Sequence, residues 1–141
     1  SEIMKKLNLI IVLFIGFSIQ AQSEIEAINN VLYHYIEGTA NGEPERLKEA
    51  FDENFNLYFI SKDSLRTWSG KQYIGNVKKG RKSNRIGKVL SIDYEENAAM
   101  AKVEILMPAR KRIYTDYFLL LKIKDKWKII HKSFTFKNYP E

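Results

Sequence analysis

The sequence contains no cysteine, only three prolines and only two histidines in 141 residues. Without cysteine the chain forms no disulfide, has no thiol nucleophile and cannot build a zinc or iron–sulfur centre on thiolates. It also lacks the phosphate-binding glycine loop, the dinucleotide fingerprint, the nucleophile elbow and the zinc motif that mark common enzyme classes. The two histidines, His34 and His131, do not cluster. We therefore expect no metal site and no cofactor, and any catalysis to be proton transfer by ordinary side chains.

Long hydrophobic runs are also absent, apart from one near the N-terminus. Lys5 and Lys6 precede an apolar run over residues 9–17, and the small residue Ala21 follows it. This order is typical of a secretory signal peptide, whereas a transmembrane helix needs about 20 apolar residues. We predict a signal peptide over residues 1–21, with translation starting at Met4, and a single secreted or periplasmic domain over residues 22–141.

Positive charge exceeds negative charge, with 23 Lys+Arg against 17 Asp+Glu and a formal charge of +6. The densest basic cluster comprises Lys78, Lys79, Arg81, Lys82, Arg85 and Lys88. Such a run is usually a solvated surface. The alternatives are contact with an anionic envelope surface, or steering of an acidic ligand toward a pocket. Because export separates the chain from nucleic acid, we expect no nucleic-acid partner, and the short apolar run argues against a membrane span.

Helical patterns occupy the first part of the predicted domain. Ser23 and Glu26 form a capping box, which predicts a helix that begins at Ser23 and ends at Gly42. Pro44 suits the first position of a second, short helix. A short strand over residues 55–60 and a turn over 62–64 precede a third helix. That helix is predicted to begin at a second capping box, Ser69 with Gln72, and to end at Gly80.

Strand patterns occupy the rest of the chain. Residues 86–94, 99–107, 113–123 and 127–136 are rich in β-branched and aromatic residues, and short polar connections separate them. This spacing predicts successive antiparallel hairpins. Because the helices come first and the strands follow, the fold class is α+β.

Several short motifs, in this order of elements, resemble a known family. They are Tyr35-Ile36-Glu37-Gly38-Thr39, Asn41-Gly42, Pro44-Glu45-Arg46-Leu47-Lys48, Trp68-Ser69, Asp116-Tyr117 and Lys126-Trp127-Lys128-Ile129. The chain is similar to the nuclear transport factor 2-like superfamily, and within it to the lumazine-binding group of secreted bacterial proteins. The resemblance implies a cone-shaped fold, in which N-terminal helices pack on a strongly curved antiparallel sheet around an apolar pocket. The chain departs from the family pattern at Glu43, where relatives tend to have Asp, and at Lys124-Asp125, where Asp-Gly is expected.

Alternation along the last two strands selects the pocket candidates. The odd positions of residues 113–123 are apolar or amphipathic, so we predict that Tyr117 faces the pocket. The same test turns Trp127 and His131 inward. Ordinary alternatives are a half-buried strand histidine bonded to a neighbour and a core tyrosine with its hydroxyl at the rim. Further ligand-binding candidates are Tyr35, Tyr58, Trp68 and Tyr73, although a hydrophobic staple would explain Trp68 and Tyr73 without a ligand.

Asp116 is unusual because aspartate is depleted from the middle of strands. A two-residue turn at Lys124-Asp125 would pair Phe118 with His131 and place Asp116 on the same face as His131. A three-residue turn would pair Leu119 with His131 and place Asp116 on the opposite face. We favour the three-residue turn, with Asp116 on the outer face beside strand lysines.

Three functions remain open. The favoured one is an exported domain that binds a small planar or acidic molecule in an aromatic-lined pocket. The second is an isomerase, dehydratase or cyclase that uses His131, Tyr117 and Asp116 as acid–base groups. The third is a homodimeric interaction protein joined through the exterior of the sheet. Binding is favoured because the sequence offers no convincing pair of inward-facing titratable groups.

Overall fold

The structure is a computed structural model that describes residues 1–139, apart from the side chains of Phe17 and Ser18. Three helices occupy the first part of the chain: α1 (Glu2–Asn41), α2 (Pro44–Ala50) and α3 (Gly70–Gly75). The six strands are β1 (Phe51–Ser61), β2 (Ser64–Ser69), β3 (Ile86–Glu95), β4 (Ala98–Met107), β5 (Arg112–Ile123) and β6 (Lys126–Asn138).

The strands form one curved sheet in the order β2-β1-β6-β5-β4-β3. All neighbours are antiparallel except β1 and β6, which run parallel. The predicted α+β cone is therefore confirmed. The sequence missed β2, which follows a tight turn in which Lys62 and Asp63 both have positive φ, +50° and +57°. Two consecutive positive φ values match the twist of a hairpin, so the chain reverses there and adds an edge strand.

Helix α1 is longer than predicted. Ser23 does not begin a helix, because the helical backbone runs without a break from Glu2 to Asn41. No proline lies in this range, so nothing interrupts the backbone hydrogen bonds ahead of Ser23. The helix ends at Gly42 as predicted, with φ +66° and its N–H donating to Gly38 O. Within residues 1–139, no helix is long and apolar enough to cross a membrane. The signal peptide stays a prediction.

The loop after α3 folds back over the end of α1. The capping box is confirmed, since Ser69 Oγ accepts from the N–H of Gln72, whose side chain accepts from the N–H of Ser69. The helix ends at Gly75, earlier than the predicted Gly80. The chain then crosses the end of α1, where Gly80 N–H donates to Gly42 O at 2.8 Å and Ser83 N–H donates to Ala40 O at 2.8 Å. These contacts hold the loop against the C-terminal end of α1.

The hairpin between β5 and β6 has a two-residue turn, so the preference for three residues is wrong. Lys124 and Asp125 have φ +48° and +64°, and both carry the positive φ that such a turn requires. The pairing nevertheless reaches Leu119 opposite His131, because the register shifts between Leu120, which pairs with Ile129, and Leu119. Ile130 is therefore the extra residue of a β-bulge. Beyond a bulge, the residues of the bulged strand exchange faces.

Strand β5 faces the opposite way from the prediction. Asp116 is buried, with 1% of its surface exposed, whereas Tyr117 and Leu119 are 48% and 47% exposed. The prediction that Asp116 points outward and Tyr117 inward is wrong. Both sides of β5 carry large apolar residues, so alternation did not distinguish them. The buried side is the one covered by α1, on which Ile28 and Leu32 also belong to the core.

Candidate functional site

The helices, the loop after α3 and the inner face of the sheet line a cavity of about 810 Å³. Its volume falls within the range of roughly 300–1,000 Å³ that is usual for small-molecule sites. One part of its wall is apolar and aromatic, formed by residues that include Leu57, Phe59, Ile105, Phe134 and Phe136. Polar side chains line the remainder. The apolar, aromatic-lined pocket expected from the resemblance is therefore present.

Four polar side chains on the cavity wall contact one another, and we call them the Asp116 cluster: Tyr35, Tyr73, Asp116 and Lys132. The Tyr35 hydroxyl donates to Asp116 Oδ2 at 2.5 Å. Lys132 Nζ donates to the hydroxyls of Tyr35, at 2.9 Å, and Tyr73, at 3.3 Å. It also lies 3.6 Å from Asp116 Oδ2. The cluster thus joins a carboxylate, an ammonium group and two phenols.

Three separate parts of the chain bring this cluster together. Asp116 pairs with Phe134, and Phe118 with Lys132, so Asp116 and Lys132 are diagonal neighbours on one face of the β5–β6 ladder. Lys132 reaches this face because the bulge at Ile130 precedes it in β6. Tyr35 comes from the core face of α1, and Tyr73 comes from α3, which begins at the capping box of Ser69 and Gln72.

Burial controls the electrostatics of the cluster. Lys132 is only 5% exposed, and its Nζ lies 4.8 Å and 5.0 Å from the ring centroids of Tyr35 and Tyr73. Burial and the charge of Asp116 raise the pKa of Tyr35 well above its usual value, so its hydroxyl keeps its proton. Buried ion pairs seldom add net stability, because removing both charges from water costs more than their attraction returns. A gain in net stability therefore does not by itself explain this pair.

Basic side chains dominate the rest of the wall. Among residues 1–139, Asp116 is the one carboxylate that lines the cavity, against seven cationic residues: Lys78, Arg81, Lys82, Arg85, Arg110, Arg112 and Lys132. Four of them belong to the basic cluster found in the sequence, of which Lys79 and Lys88 do not line the cavity. Burial opposes ionisation of Tyr114, but hydrogen bonds from Arg112 and Arg110 prevail and lower its pKa. The basic cluster therefore borders the cavity instead of forming only a solvated face.

His131 and Tyr117 do not line the cavity, so the prediction that they face it is wrong. His131 lies on the outer face of the sheet, where its ring nitrogens are 2.8 Å from Asn56 Oδ1 and 2.8 Å from Ser133 Oγ. Tyr58 lies beside it, with ring centroids 5.4 Å apart. Burial lowers the pKa of His131. This is the half-buried, neighbour-bonded strand histidine that the sequence left as an alternative.

Trp127 faces inward as predicted, but it does not line the cavity. Its Nε1–H donates to Glu24 Oε2 at 2.7 Å, and Lys122 Nζ donates to Glu24 Oε1 at 2.6 Å. These two hydrogen bonds lower the pKa of Glu24. Trp127 therefore fastens α1 to the β5–β6 hairpin and is a structural residue.

A family model matches most of the chain. The model of the family described as "putative lumazine-binding" matches residues 23–135. The chain belongs to this family. Within residues 1–139, no group of three or more histidine, aspartate or glutamate side chains is arranged to hold a metal ion.

Individual proteins similar to the chain include two that are named for an activity. The aldolase FrzH of Cladobotryum sp. is 27% identical over 119 residues, which cover 84% of this chain and 94% of the aldolase. A nuclear transport factor 2-like protein of unknown function from Shewanella baltica OS155 is 25% identical, with a TM-score of 0.72 over 84% of this chain and 96% of its own. A hexachlorocyclohexane dehydrochlorinase from Novosphingobium barchaimii LL02 is 11% identical, with a TM-score of 0.68 over 87% and 92%. At that identity, the last similarity shows the fold alone.

Sequence reasoning thus found part of this family member's site and missed part. Tyr35, Trp68, Tyr73 and Asp116 were candidates, and all four line the cavity. Trp68 packs edge-on against Phe59, with centroids 5.6 Å apart. Lys132 was missed because lysine at alternate positions of β6 looked like an outward row. The one available signal was Asp116 itself, since a mid-strand carboxylate needs a cation on a neighbouring strand.

Proposed function

We propose that the cavity binds a small organic carbonyl compound and transfers a proton on it, as an acid–base lyase or isomerase. The observation that carries this proposal is the buried Asp116 cluster on the cavity wall. A base, a cation and two hydroxyl donors converge there, although the buried charges contribute little net stability. Such a combination on the wall of a cavity of ligand size is the usual sign of a reaction site.

The chemistry follows from the types of group present. Asp116 would accept a proton from the carbon next to the carbonyl; the C–H electron pair would form a C=C bond, and the π pair of the C=O bond would move to the oxygen. Lys132 and the Tyr73 hydroxyl would stabilise the negative charge that develops on this oxygen. Return of the proton to another carbon completes an isomerisation, and loss of a leaving group from the next carbon completes an elimination.

The similarity to an aldolase supports this class of reaction. Aldol reactions, carbonyl isomerisations and many eliminations share an enol or enolate intermediate, so one arrangement of base and oxyanion donors serves all of them. The aldolase similarity covers most of both chains.

Binding without turnover is the second candidate, and one observation favours it. Tyr35 and Lys132 already satisfy Asp116 Oδ2, as they would in a purely structural network. In that case the cavity would hold a ligand through its apolar wall, and the cluster would be part of the binding surface.

Deuterium exchange separates the two candidates. The full chain is incubated in D₂O with a panel of cyclic ketones and aromatic α-keto acids, and solvent exchange at carbon is read by proton NMR. We expect accelerated exchange on at least one compound, and a loss of at least about 100-fold in Asp116→Asn, as is usual when a general base is removed. The matched control is Asp93→Asn, an exposed aspartate on β3. Thermal stabilisation by a panel compound without any exchange would favour binding alone.

We also propose that residues 1–21 are a signal peptide and that the protein is exported. The large apolar residues of this segment, among them Ile10 and Val12, are exposed, so the segment contributes little to the core. Expression in a Gram-negative host followed by intact mass measurement tests the proposal. We expect the secreted fraction to begin near Gln22, and an intact N-terminus in that fraction would contradict the proposal.

A further inference from the structure

Most of the positive charges on the cavity wall have no carboxylate partner within residues 1–139. Of the seven cations there, Lys132 is paired with Asp116. None of the other six lies within 4.0 Å of a carboxylate in the part of the chain that the structure describes. Because the Asp116–Lys132 pair is neutral as a unit, the excess positive charge comes from the loop after α3, from Arg110 in the turn before β5 and from Arg112 at the start of β5.

Two polar atoms in that loop are buried without a hydrogen-bond partner among residues 1–139: Ser83 Oγ and Arg85 Nε. Both residues line the cavity. The loop backbone is anchored, because Ser83 N–H donates to Ala40 O at 2.8 Å. The Arg85 guanidinium donates to Met107 Sδ at 3.3 Å, and a thioether is a weak acceptor. Ser83 and Arg85, which we call the Ser83–Arg85 pair, thus each have an unused hydrogen-bonding atom on an anchored loop.

A guanidinium and a hydroxyl together recognise one class of ligand. The planar guanidinium donates two parallel hydrogen bonds to a carboxylate or phosphate, and a serine hydroxyl supplies a third donor. A neutral carbonyl would leave the charge of Arg85 uncompensated in a site that is already strongly positive. An anionic group would compensate it.

We propose that the Ser83–Arg85 pair binds the anionic group, a carboxylate or phosphate, of the molecule whose reacting carbon lies against the Asp116 cluster. This inference rests on the proposed function of the same cavity and names its substrate class as an organic anion. Ser83 and Arg85 line the same cavity as all four members of the Asp116 cluster. The anion and the reacting carbon would therefore belong to one small molecule.

Binding of matched probes to the full chain tests the proposal. Benzoate and phenyl phosphate carry the anion, and benzamide is the neutral counterpart of benzoate; isothermal titration at constant ionic strength measures all three. We expect at least one anion to bind about tenfold or more tighter than benzamide, since charge-assisted hydrogen bonds are the stronger kind. The preferred anion distinguishes a carboxylate from a phosphate ligand. Equal binding of all three probes, or no binding of either anion, would overturn the proposal.

Variants assign the effect to the Ser83–Arg85 pair. We expect Arg85→Gln to abolish the preference for the anion, Arg85→Lys to keep part of it, and Ser83→Ala to weaken it. The matched control is Lys88→Gln, which removes a charge of the same basic cluster away from the cavity wall and is expected to keep the preference. Circular dichroism confirms that each variant is folded. A folded Arg85→Gln protein with the full anion preference would refute the assignment.

Asp116→Asn separates this proposal from the proposed function. We expect this variant to bind the anion at least as tightly as the unmodified chain, because it removes the carboxylate from the cavity wall. If the anion binds but neither the unmodified chain nor a variant catalyses deuterium exchange, the proposed proton transfer is refuted and the proposed anion site is retained. Deuterium exchange without any preference for the anion would support proton transfer and refute the anion site.

Discussion

Substitution of Lys132 by methionine tests whether the Asp116 cluster is a desolvated ion pair. Methionine keeps the length and most of the volume of lysine but removes the charge, so Asp116 loses its cation inside the protein. Both side chains are almost completely buried, with exposures of 6% and 2%. The carboxylate therefore cannot recover its hydration in the folded variant.

The magnitude follows from the geometry. Unit charges 3.6 Å apart attract each other by about 4–5 kcal/mol at an effective dielectric constant near 20. Breaking a buried pair by removing one partner usually costs about 3–5 kcal/mol. We expect Lys132→Met to lose a free energy of unfolding in this range. Since small domains have only about 5–15 kcal/mol in total, the variant is expected to be close to unfolding.

A double-mutant cycle measured by urea denaturation checks this value. Asp116→Asn removes the unpaired charge, so the double variant Asp116→Asn/Lys132→Met is expected to be more stable than Lys132→Met alone. The coupling between the two sites is expected to be at least about 2 kcal/mol, as for groups in one ion-pair network. The matched control is Lys48→Met. Lys48 is closer to its partner Glu45, at 2.9 Å, but the two side chains are 60% and 80% exposed, so the loss is expected to stay below about 1 kcal/mol.

Two results would refute this reasoning. One is a loss below about 1 kcal/mol in Lys132→Met, which would mean that water reaches the pair, as in surface salt bridges. The other is additivity of the two substitutions, which would mean that the charges do not interact.

Three further predictions concern other parts of the fold. Gly42→Ala is expected to lower the free energy of unfolding by at least about 1–2 kcal/mol from the left-handed backbone alone, and by more because a Cβ there would lie 2.5 Å from Lys78 O. Urea denaturation measures this loss. The control is Gly75→Ala, because a Cβ at that position meets nothing within 4 Å. Burial lowers the pKa of His131, so its contribution to the free energy of unfolding is expected to be full above about pH 6.5 and to fall as the pH drops through the lowered pKa. His131→Gln is expected to remove this loss at acidic pH. If the free energy of unfolding of His131→Gln kept the same pH dependence, the assignment to His131 would be contradicted. Met100, Tyr117, Leu119 and Leu121 are exposed on the outer face of the sheet, and we propose that two copies meet there; light scattering is expected to give a dimer that Leu119→Lys converts to a monomer, and a monomeric unmodified chain would contradict it.

The sequence predicted those elements whose boundaries depend on local chemistry. Gly42 ends α1 because a left-handed residue is needed there, and Pro44 begins α2 because its missing N–H costs nothing at the first helical position. The side chains of Ser69 and Gln72 complete their capping box within four residues. In each case the interacting residues lie within a few positions of one another, so the local sequence is sufficient to predict the interaction. The same holds for the last four strands, which the polar connections delimit.

The facing of the site residues was not predictable in the same way. It depends on the bulge at Ile130, which no turn residue or glycine in the sequence indicates. It also depends on which face of β5 packs against α1. Both sides of β5 are apolar, because Leu119 and Leu121 lie outside while Phe118 and Leu120 lie inside. The choice between them is made by packing over long sequence separations. A single extra residue in β6 was enough to exchange His131 for Lys132 on the cavity wall.

Asp116 nevertheless shows how such a site can be found from sequence. A carboxylate in the middle of a buried strand must be compensated, since an isolated buried charge costs more than a small domain can tolerate. The compensating cation must come from a neighbouring strand within about two pairing positions, because only directly opposite and diagonal side chains are in reach. Lys132 satisfies this condition on β6, whereas Lys102 on β4 pairs with Tyr117 and so lies on the outer face. The need to compensate the buried Asp116 carboxylate therefore restricts the β5–β6 register more strongly than the alternation of apolar residues does. It also selects the face of the sheet that carries the Asp116 cluster.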